Sequence, residues 1–304
     1  MRSLRFCFVS GLLLAGSAIL HAQSPAPQPA TLPTTSAVRQ LGDIPYVIDG
    51  HKHQQLDLFL PAADGPARPL VVTVHGGGWS GGSRKEYYAL GIALVNKGYV
   101  VASIDYRLSQ DAIYPAQIED CKAAIRFLRA HASEYGIAPN RVGAWGQSAG
   151  GHLVALLGTT GDIRDFDTGA NLDQSSKVQC IVDWYGPTDF LHFGEPPLPI
   201  VNNPNNAGSR LINGMAGAVA PEKARRASPV YFVNKNSSPF LIMHGDKDNT
   251  VPLQQSQILE AALKKSGSEC ALMVLSGAGH GGPAFKSPEA TAAVLQFLDR
   301  HLKP

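Results

Sequence analysis

The sequence of 304 residues has almost no excess of charge of either sign. Its formal net charge is +2, and Arg2 and Arg5 at the N-terminus account for that excess. The rest of the chain is neutral overall, so it offers no basic surface that would recruit nucleic acid or anionic lipid. We therefore expect the partner to be a neutral small molecule.

Cysteine is scarce, and its spacing excludes a disulfide framework and a cysteine-based zinc site. The chain has four cysteines, and no two of them have C-x-x-C spacing. Cys7 lies in the N-terminal segment, whereas Cys121, Cys180 and Cys270 fall inside apolar patterns. Buried thiols are the favoured interpretation, and one disulfide is the alternative. Because no histidines show metal-ligand spacing with carboxylates, we predict neither a metal nor a cofactor.

The apolar run near the N-terminus is too short to cross a bilayer. It extends from residue 6 to residue 20 and follows two arginines, and Ala22 closes a plausible cleavage site. This pattern is typical of a secretory signal. We predict a signal peptide over residues 1–22, a secreted or periplasmic location, and a flexible linker rich in Pro, Ala, Ser and Thr over residues 23–41.

From residue 42 to residue 304, short apolar segments alternate with helical patterns and predict one domain. The predicted strands are 44–49, 55–60, 70–75, 99–105, 141–145, 178–184, 239–244 and 270–275. The predicted helices are 86–97, 115–135, 149–158, 253–266 and 288–301. The first two strands alternate in polarity across a short connection, which predicts an exposed antiparallel hairpin at the sheet edge. The other strands predict an α/β fold with a mostly parallel, twisted, eight-stranded sheet between helices.

Residues 187–228 interrupt this alternation with a segment that is irregular and contains many turn-forming residues. The segment follows the sixth strand, where ligands bind in open α/β sheets, and we predict that it forms a short cap. Phe190 and Phe193 in the cap, together with Trp79, either hold an aromatic ring of a ligand or pack internally. His192 in the cap is a weaker candidate for contact with a ligand.

The pentapeptide Gly-Gln-Ser-Ala-Gly at residues 146–150 identifies a candidate nucleophile. It lies between a predicted buried strand and a predicted helix rich in small residues. In this context a G-x-S-x-G sequence is typical of a sharp turn that exposes the serine hydroxyl above the sheet. We therefore predict that Ser148 is a catalytic nucleophile.

A glycine-rich loop after the third strand supplies candidate oxyanion donors. Residues 75–79 read His-Gly-Gly-Gly-Trp, and glycine lets the backbone approach a ligand closely. We predict that the backbone N–H groups of Gly77, Gly78 and Ala149 form an oxyanion hole. The sequence after this loop lacks the Lys-Ser/Thr pair of a phosphate-binding loop, and His75 is expected to be structural.

The general base and its acid partner are expected in the loops after the last two strands. His280 lies in a glycine-rich loop after the last strand. Asp248 and Asp246 both follow the seventh strand, and we predict Asp248 because it directly precedes the next helix. Ser148, Asp248 and His280 therefore follow one another in the chain order of a hydrolase triad.

With these motifs, the chain resembles the alpha/beta-hydrolase superfamily. In particular, it resembles secreted carboxylesterases related to the hormone-sensitive-lipase-like and the feruloyl/acetyl-xylan esterase-like (BD-FAE-like) enzymes. The segments that carry the resemblance are 75–79, 105–108, 114–117, 146–152, 184–189, 227–229, 244–248 and 279–281. The resemblance implies the same triad and oxyanion donors. Gln147 departs from the acidic residue that is common before the nucleophile in the hormone-sensitive-lipase-like group.

We therefore expect a serine carboxylic-ester hydrolase that acts through an acyl-enzyme on small acyl or aromatic esters, including acetyl or feruloyl groups on sugars. One alternative is a serine peptidase of the prolyl-oligopeptidase type, although the chain has no room for the large extra domain of those enzymes. The other alternative is a non-catalytic binding protein with the same fold.

Overall fold

The structure is a computed structural model that describes residues 30–31, 38–193, 206–213 and 221–303. The predicted signal peptide over residues 1–22 lies outside the described residues. Among the described residues, none of the helices has both the length and the apolar character that a membrane crossing requires.

A nine-stranded sheet forms the centre of the fold. The strands are β1 (Ala30–Thr31), β2 (Val38–Pro45), β3 (Gln55–Pro61), β4 (Arg68–Val74), β5 (Val100–Ile104), β6 (Ile137–Gln147), β7 (Cys180–Trp184), β8 (Phe240–Gly245) and β9 (Cys270–Leu275). They lie in the order β1-β2-β3-β5-β4-β6-β7-β8-β9. From β5 through β4 to β9, neighbouring strands pair in parallel. The pairs β1–β2, β2–β3 and β3–β5 are antiparallel. The eight predicted strands are present, and the two-residue β1 adds a ninth.

The helices are α1 (Tyr88–Val95), α2 (Ala116–Ala130), α3 (Ala149–Thr159), α4 (Ala207–Asn213), α5 (Pro221–Ala227), α6 (Gln254–Ser266) and α7 (Pro288–Leu302). Side chains of α1 and α7 belong to one apolar cluster of the core, and side chains of α2, α3 and α6 belong to the other. Helices therefore cover both faces of the sheet, which explains why β5 and β7 are buried along their whole length.

The edge hairpin is antiparallel as predicted, but it is not exposed. All five central residues of β3 are buried. Phe59 packs so closely under α1 that a Cβ at Gly91 would lie 2.8 Å from the Phe59 ring. The prediction of exposure was wrong because β3 has helix α1 over one face and pairs with β5 inside the sheet.

The boundary between the predicted linker and the domain also differs from the structure. Strand β2 begins at Val38, inside the predicted linker, and ends at Pro45, where the sequence predicted that a strand was just starting. Val38 and Leu41 are buried, so this stretch contributes to the core despite its polar neighbours. Asp49 has φ of 54° and lies in the turn that follows, which prevents the strand from continuing to residue 49.

Among the described residues, Cys121, Cys180 and Cys270 are free thiols. Cys121 and Cys180 are buried as predicted, whereas Cys270 is only partly buried. Burial raises the pKa of the Cys180 thiol to about 12. This arrangement agrees with the interpretation of Cys121, Cys180 and Cys270 as unpaired side chains rather than a disulfide.

Candidate active site

Ser148 lies at a tight turn between β6 and α3, and its φ of 53° is unusual for a residue with a side chain. The two flanking glycines are required by close backbone approaches. A Cβ at Gly146 would lie 2.2 Å from the carbonyl oxygen of Gly150, and a Cβ at Gly150 would lie 2.0 Å from that of Val74. The turn therefore depends on glycine at both positions and holds the serine at the carboxyl edge of the sheet.

His280 connects Ser148 to Asp248 through two short hydrogen bonds. Its Nε2 lies 2.8 Å from the Ser148 Oγ, and its Nδ1 lies 2.7 Å from the Asp248 Oδ2. A carboxylate at Nδ1 selects the tautomer that carries its proton there, so Nε2 accepts the hydrogen of the serine hydroxyl. The structure thus brings together the three side chains predicted from the sequence.

The Asp248 carboxylate is held in its ionised form by its hydrogen bonds. Burial raises its pKa, but donors from His244, His280 and the N–H groups of Val251 and Thr250 outweigh this and hold the pKa well below its usual range. The carboxylate therefore stays negative when the imidazole of His280 becomes positively charged.

Asp246, the rival acid in the sequence, has a different environment. It is exposed, and its Oδ1 accepts a hydrogen bond of 2.7 Å from the N–H of Gly277. This bond ties the loop after β8 to the loop after β9. Asp246 thus supports the loop that carries His280, whereas Asp248 contacts the imidazole.

A second histidine, His244, contacts the Asp248 carboxylate, and the sequence analysis gave it no role. It is fully buried at the end of β8. Its Nε2 lies 2.8 Å from the carbonyl oxygen of Val251 and 3.3 Å from the Asp248 Oδ2, and its Nδ1 lies 2.7 Å from the Ser256 Oγ. No local sequence pattern would have identified it, because only its approach to Asp248 in the fold distinguishes it from a structural histidine.

The glycine-rich loop after β4 lies beside Ser148. Gly77 and Gly78 have φ of 99° and 59°, and the Gly77 carbonyl accepts the N–H groups of Ser80 and Gly81. Within the described part of the chain, no acceptor takes the N–H of Gly77, Gly78 or Ala149. Because Ala149 begins α3, its N–H belongs to the unpaired first turn of a helix.

Buried aromatic and imidazole rings fix the position of this loop. His75 is 1% exposed and stacks on Tyr106 with ring centroids 4.4 Å apart. The Tyr106 hydroxyl donates to the His75 carbonyl at 3.0 Å. His75 therefore has a structural role, as expected from the sequence, and holds the start of the glycine-rich loop in place.

Trp79 anchors the far end of the same loop through His152. The Trp79 Nε1–H donates to the His152 Nδ1 at 3.1 Å, and the His152 Nε2 donates to the Ala227 carbonyl at 2.7 Å. Burial lowers the pKa of His152 to about 4, which keeps this ring neutral. Trp79 and the fully buried Phe190 pack against His152, so these two aromatic rings belong to the core rather than to an open ligand surface.

Two other candidates lie in the segment after β7. His192 is about half exposed, and its Nδ1 lies 2.9 Å from the Asp189 Oδ2. Phe193 is only partly buried. Residues 194–205 and 214–220 of the predicted cap lie outside the described residues, and its described part includes residues 187–193 and helices α4 and α5.

A group of polar side chains beside the nucleophile was not predicted. The Tyr185 hydroxyl donates to the Gln147 Oε1 at 3.1 Å, and the Gln147 Nε2 donates to the Glu86 Oε2 at 3.3 Å. The Tyr185 ring also lies 4.6 Å from the His280 ring, measured between centroids. Glu86 is exposed, so this group gives the rim of the site hydrogen-bonding capacity next to Ser148.

A buried carboxyl group lies behind the turn that carries Ser148. Asp183 is fully buried, its Oδ1 accepts the N–H of Gly186 at 3.0 Å, and its Oδ2 has no hydrogen-bond partner among the described residues. Burial raises the pKa of Asp183 to about 6, and the Gly186 hydrogen bond and His244 offset only part of this shift.

We expect Asp183→Asn to change how stability depends on pH. Because the folded pKa is raised, the wild-type chain loses stability between the unfolded pKa near 4 and the folded value of about 6. The variant cannot ionise there, so its unfolding free energy relative to wild type should increase by up to about 3 kcal/mol from pH 4 to pH 8. Urea denaturation of both proteins at pH 4 and pH 8 measures their unfolding free energies. If the variant differed from wild type by the same amount at both pH values, the raised pKa of Asp183 would be contradicted.

The structure also gathers three side chains of types that can bind a metal ion, none of which belongs to the Ser148, His280 and Asp248 group. His51, His53 and Asp111 each offer one ligand atom, and these atoms lie within 4.8 Å of one another. The spacing of residues in the sequence did not reveal this cluster. The cause is that Asp111 is 58 residues from His53 in the chain and approaches it only through the pairing of β3 with β5.

The BD-FAE family model matches residues 56–263. The chain is 32% identical over 222 residues to Esterase LipC of Mycobacterium tuberculosis, a match that covers 70% of this chain and 53% of LipC. The chain therefore spans about half the length of curated relatives such as this one.

Two solved structures add to this comparison. A truncated form of a carbohydrate esterase from gut microbiota has a TM-score of 0.82 and 30% identity, and the match covers 91% of this chain and all of that one. Thermogutta terrifontis esterase 2, phosphonylated by sarin, has a TM-score of 0.68 and 27% identity, and the match covers 82% and 92% of the two chains.

Proposed function

The chain belongs to the BD-FAE family and has the alpha/beta-hydrolase fold, and from this premise we propose that it is a serine carboxylesterase with Ser148, His280 and Asp248 as its triad. The observation that carries the proposal is the continuous contact from the Ser148 Oγ through the two nitrogens of His280 to Asp248, with distances of 2.8 and 2.7 Å.

In the first half of the proposed reaction, the Ser148 Oγ attacks the ester carbonyl carbon while the His280 Nε2 takes the hydroxyl proton. The carbonyl oxygen becomes an oxyanion and accepts hydrogen bonds from the N–H groups of Gly77, Gly78 and Ala149. When the tetrahedral intermediate collapses, the bond to the alcohol oxygen breaks and His280 donates its proton to that oxygen. The acyl group remains on Ser148.

In the second half, water attacks the acyl-enzyme with His280 again as general base. Collapse of this intermediate breaks the bond to Ser148, returns the proton to Oγ and releases the carboxylic acid. Asp248 keeps the proton of His280 on Nδ1 and balances the positive charge of the imidazolium through both steps, and it remains ionised because its pKa is low.

We propose short acyl or aromatic esters, including acyl groups on sugars, as substrates. The rim formed by Glu86, Gln147 and Tyr185 supports a hydroxyl-bearing substrate because it offers polar contacts beside Ser148. The similar carbohydrate esterase gives further support. Acetylated xylan, methyl ferulate and nitrophenyl esters of increasing chain length, compared by kcat/KM, test this proposal.

The same comparison tests the peptidase alternative. A peptidase of this mechanism would also cleave nitroanilide peptides, whereas we expect no nitroanilide cleavage above that of the Ser148→Ala variant. A fluorophosphonate probe tests the non-catalytic alternative, because an inert protein would not be labelled at Ser148.

The proposal also includes export, with residues 1–22 as a signal peptide that is removed. The measured mass of the mature protein should therefore be that of a chain without these residues.

We propose that His244 is a positioning residue for Asp248. His244→Leu removes the Nε2 donor that lies 3.3 Å from the carboxylate, so Asp248 loses one contact that keeps it ionised and oriented. We expect kcat/KM to fall by about tenfold or more, since a hydrogen bond to a charged group contributes about 1.5–3 kcal/mol. His244→Gln, which restores a donor, should recover part of the loss.

Ser256→Ala is the matched control for His244, because it removes the partner at the Nδ1 of the same ring, 2.7 Å away, without touching Asp248. If this control lowered kcat/KM as much as His244→Leu at equal folded content, the effect would arise from packing around the ring. The positioning role would then be rejected.

A further inference from the structure

We propose that His51, His53 and Asp111 form a site for a divalent transition metal, with zinc as the ion that fits best. Two imidazole nitrogens and one carboxylate oxygen are ligands that zinc accepts readily. The site is separate from the Ser148, His280 and Asp248 triad, so the proposal does not depend on the esterase function.

The three ligand atoms already lie close to the spacing of a metal site. The His53 Nδ1 lies 2.6 Å from the Asp111 Oδ2, and the His51 Nε2 lies 3.7 Å from the Asp111 Oδ1. Ligand atoms around a tetrahedral zinc ion are about 3.3 Å apart. A single carboxylate oxygen shared by both imidazoles requires the His53 contact to lengthen, and ligand atoms that now lie within 4.8 Å of one another must draw closer together. Rotation of the three side chains supplies these movements.

The turn that carries the two histidines is firmly anchored. The N–H of His51 donates to the Gln54 Oε1 at 2.7 Å, and the Gln54 Nε2 donates to the buried Asp120 Oδ1 at 2.7 Å. The Tyr46 hydroxyl at the start of the same turn donates to the Asp105 carbonyl at 2.7 Å. The backbone near His51 and His53 is thus held in place before any ion binds, which reduces the entropy that binding must overcome.

The loop that carries Asp111 is anchored in the same way. Its Oδ2 accepts the N–H of Leu108 at 2.9 Å, and the N–H of Asp111 donates to the Leu108 carbonyl at 2.8 Å. Gln117 on α2 donates to the carbonyl of Ala112 at 2.7 Å. The Leu108 hydrogen bond also orients the carboxylate toward the histidines, as supporting residues do around metal ligands.

The burial of the ligands suits a bound ion that keeps a water molecule. The side chains of His51, His53 and Asp111 are 35%, 26% and 15% exposed. An ion can therefore enter from solvent, and three protein ligands leave the fourth tetrahedral position to water.

Binding through the His51 Nε2 has one identifiable cost. The His51 Nδ1 accepts the N–H of His53 at 3.3 Å, so without metal the ring proton lies on Nε2. Zinc at Nε2 requires that proton to move to Nδ1 and that long hydrogen bond to break. Binding also displaces the proton that joins His53 to Asp111, because a nitrogen that binds zinc must give up its proton.

The position of the site gives the ion a structural role. The hairpin turn precedes β3, and the Asp111 loop follows β5, so a shared ion would link two segments at the carboxyl edge of the sheet. The loop also contacts the glycine-rich loop, since the N–H of Ser109 donates to the Trp79 carbonyl at 2.7 Å. We therefore expect zinc to stabilise the chain without serving as a reactant.

Titration of the chelator-treated full chain with zinc chloride in a calorimeter tests the proposal. We expect a single saturable site and, at a zinc concentration 100 times the Kd, a rise in Tm of about 5 °C. His53→Gln and His51→Gln should each weaken binding by about 100-fold or more, because a lost ligand costs more than a lost supporting residue.

His192→Gln is the matched control, since His192 is an exposed histidine that pairs with Asp189 but lacks a second imidazole among its described neighbours. This variant should bind zinc as wild type does. The proposal is overturned if wild type shows no saturable heat, if zinc binds the His53→Gln and His51→Gln variants with unchanged affinity, or if the His192 control loses the site. Circular dichroism of each variant separates a lost ligand from a lost fold.

Discussion

Replacing Ser148 by alanine is expected to reduce kcat/KM for p-nitrophenyl acetate by at least about 10⁴-fold. The reason is that the remaining triad has no atom that can form the acyl intermediate: His280 and Asp248 stay in place, but the oxygen 2.8 Å from the Nε2 is gone. Alanine keeps the same backbone geometry at φ of 53°, so the strain of the turn is unchanged. Stability should therefore change by no more than about 1 kcal/mol, the contribution of one hydrogen bond.

The control for this variant is Ser276→Ala, which removes an exposed serine from the same loop as His280. It should retain full activity. Labelling by a fluorophosphonate should follow the same pattern, because this probe reacts with a nucleophilic serine hydroxyl. A folded Ser148→Ala protein with near-normal turnover, or with undiminished labelling, would remove Ser148 from the mechanism and leave the proposed esterase without a nucleophile.

The parts of the site that were predictable from sequence are those where backbone geometry restricts the residue type. Gly146 and Gly150 cannot carry a Cβ, because a Cβ at either position would lie within 2.2 Å of a backbone carbonyl oxygen. Such positions produce a short, recognisable pattern around Ser148. The regular strand–helix alternation then predicts that the loops with Asp248 and His280 end at the same edge of the sheet.

The features that sequence did not reveal depend on contacts between distant segments. His244 was overlooked because an isolated histidine at a strand end is usually structural, and only its 3.3 Å approach to Asp248 distinguishes it. The metal cluster requires Asp111, whose approach to His53 follows from strand pairing and not from any local pattern. Likewise, the polarity of the first strands predicted an exposed hairpin, whereas helix α1 buries Phe59.

Replacing Gly77 by alanine is expected to give the second large loss, about 10²–10³-fold in kcat/KM, which is the usual effect of removing an oxyanion donor. The N–H of residue 77 survives this change, but its position does not. The new Cβ would lie 2.3 Å from the carbonyl oxygen of Gly81, a contact with backbone that no side-chain movement relieves. The loop must shift, and the N–H groups then no longer point at the position of the oxyanion.

Variants at two further glycines distinguish the effect of this clash from the effect of backbone strain at positive φ. Gly98 has φ of 93°, close to the 99° of Gly77, but a Cβ there meets no atom within 4 Å. Gly98→Ala should therefore lose about 1 kcal/mol of stability with unchanged activity. At Gly78 a Cβ would only touch the Ala207 Cβ at 3.4 Å, so Gly78→Ala should lower kcat/KM less than Gly77→Ala does.

Measuring kcat/KM and unfolding free energy for these three variants distinguishes the explanations. If Gly98→Ala lost as much activity as Gly77→Ala, strain at positive φ would be the cause and the oxyanion role would have no support. If Gly77→Ala kept normal activity in a folded protein, the proposed hole would lie elsewhere. The expected order, with a large loss at Gly77, a smaller loss at Gly78 and none at Gly98, follows from the atoms that each added Cβ meets.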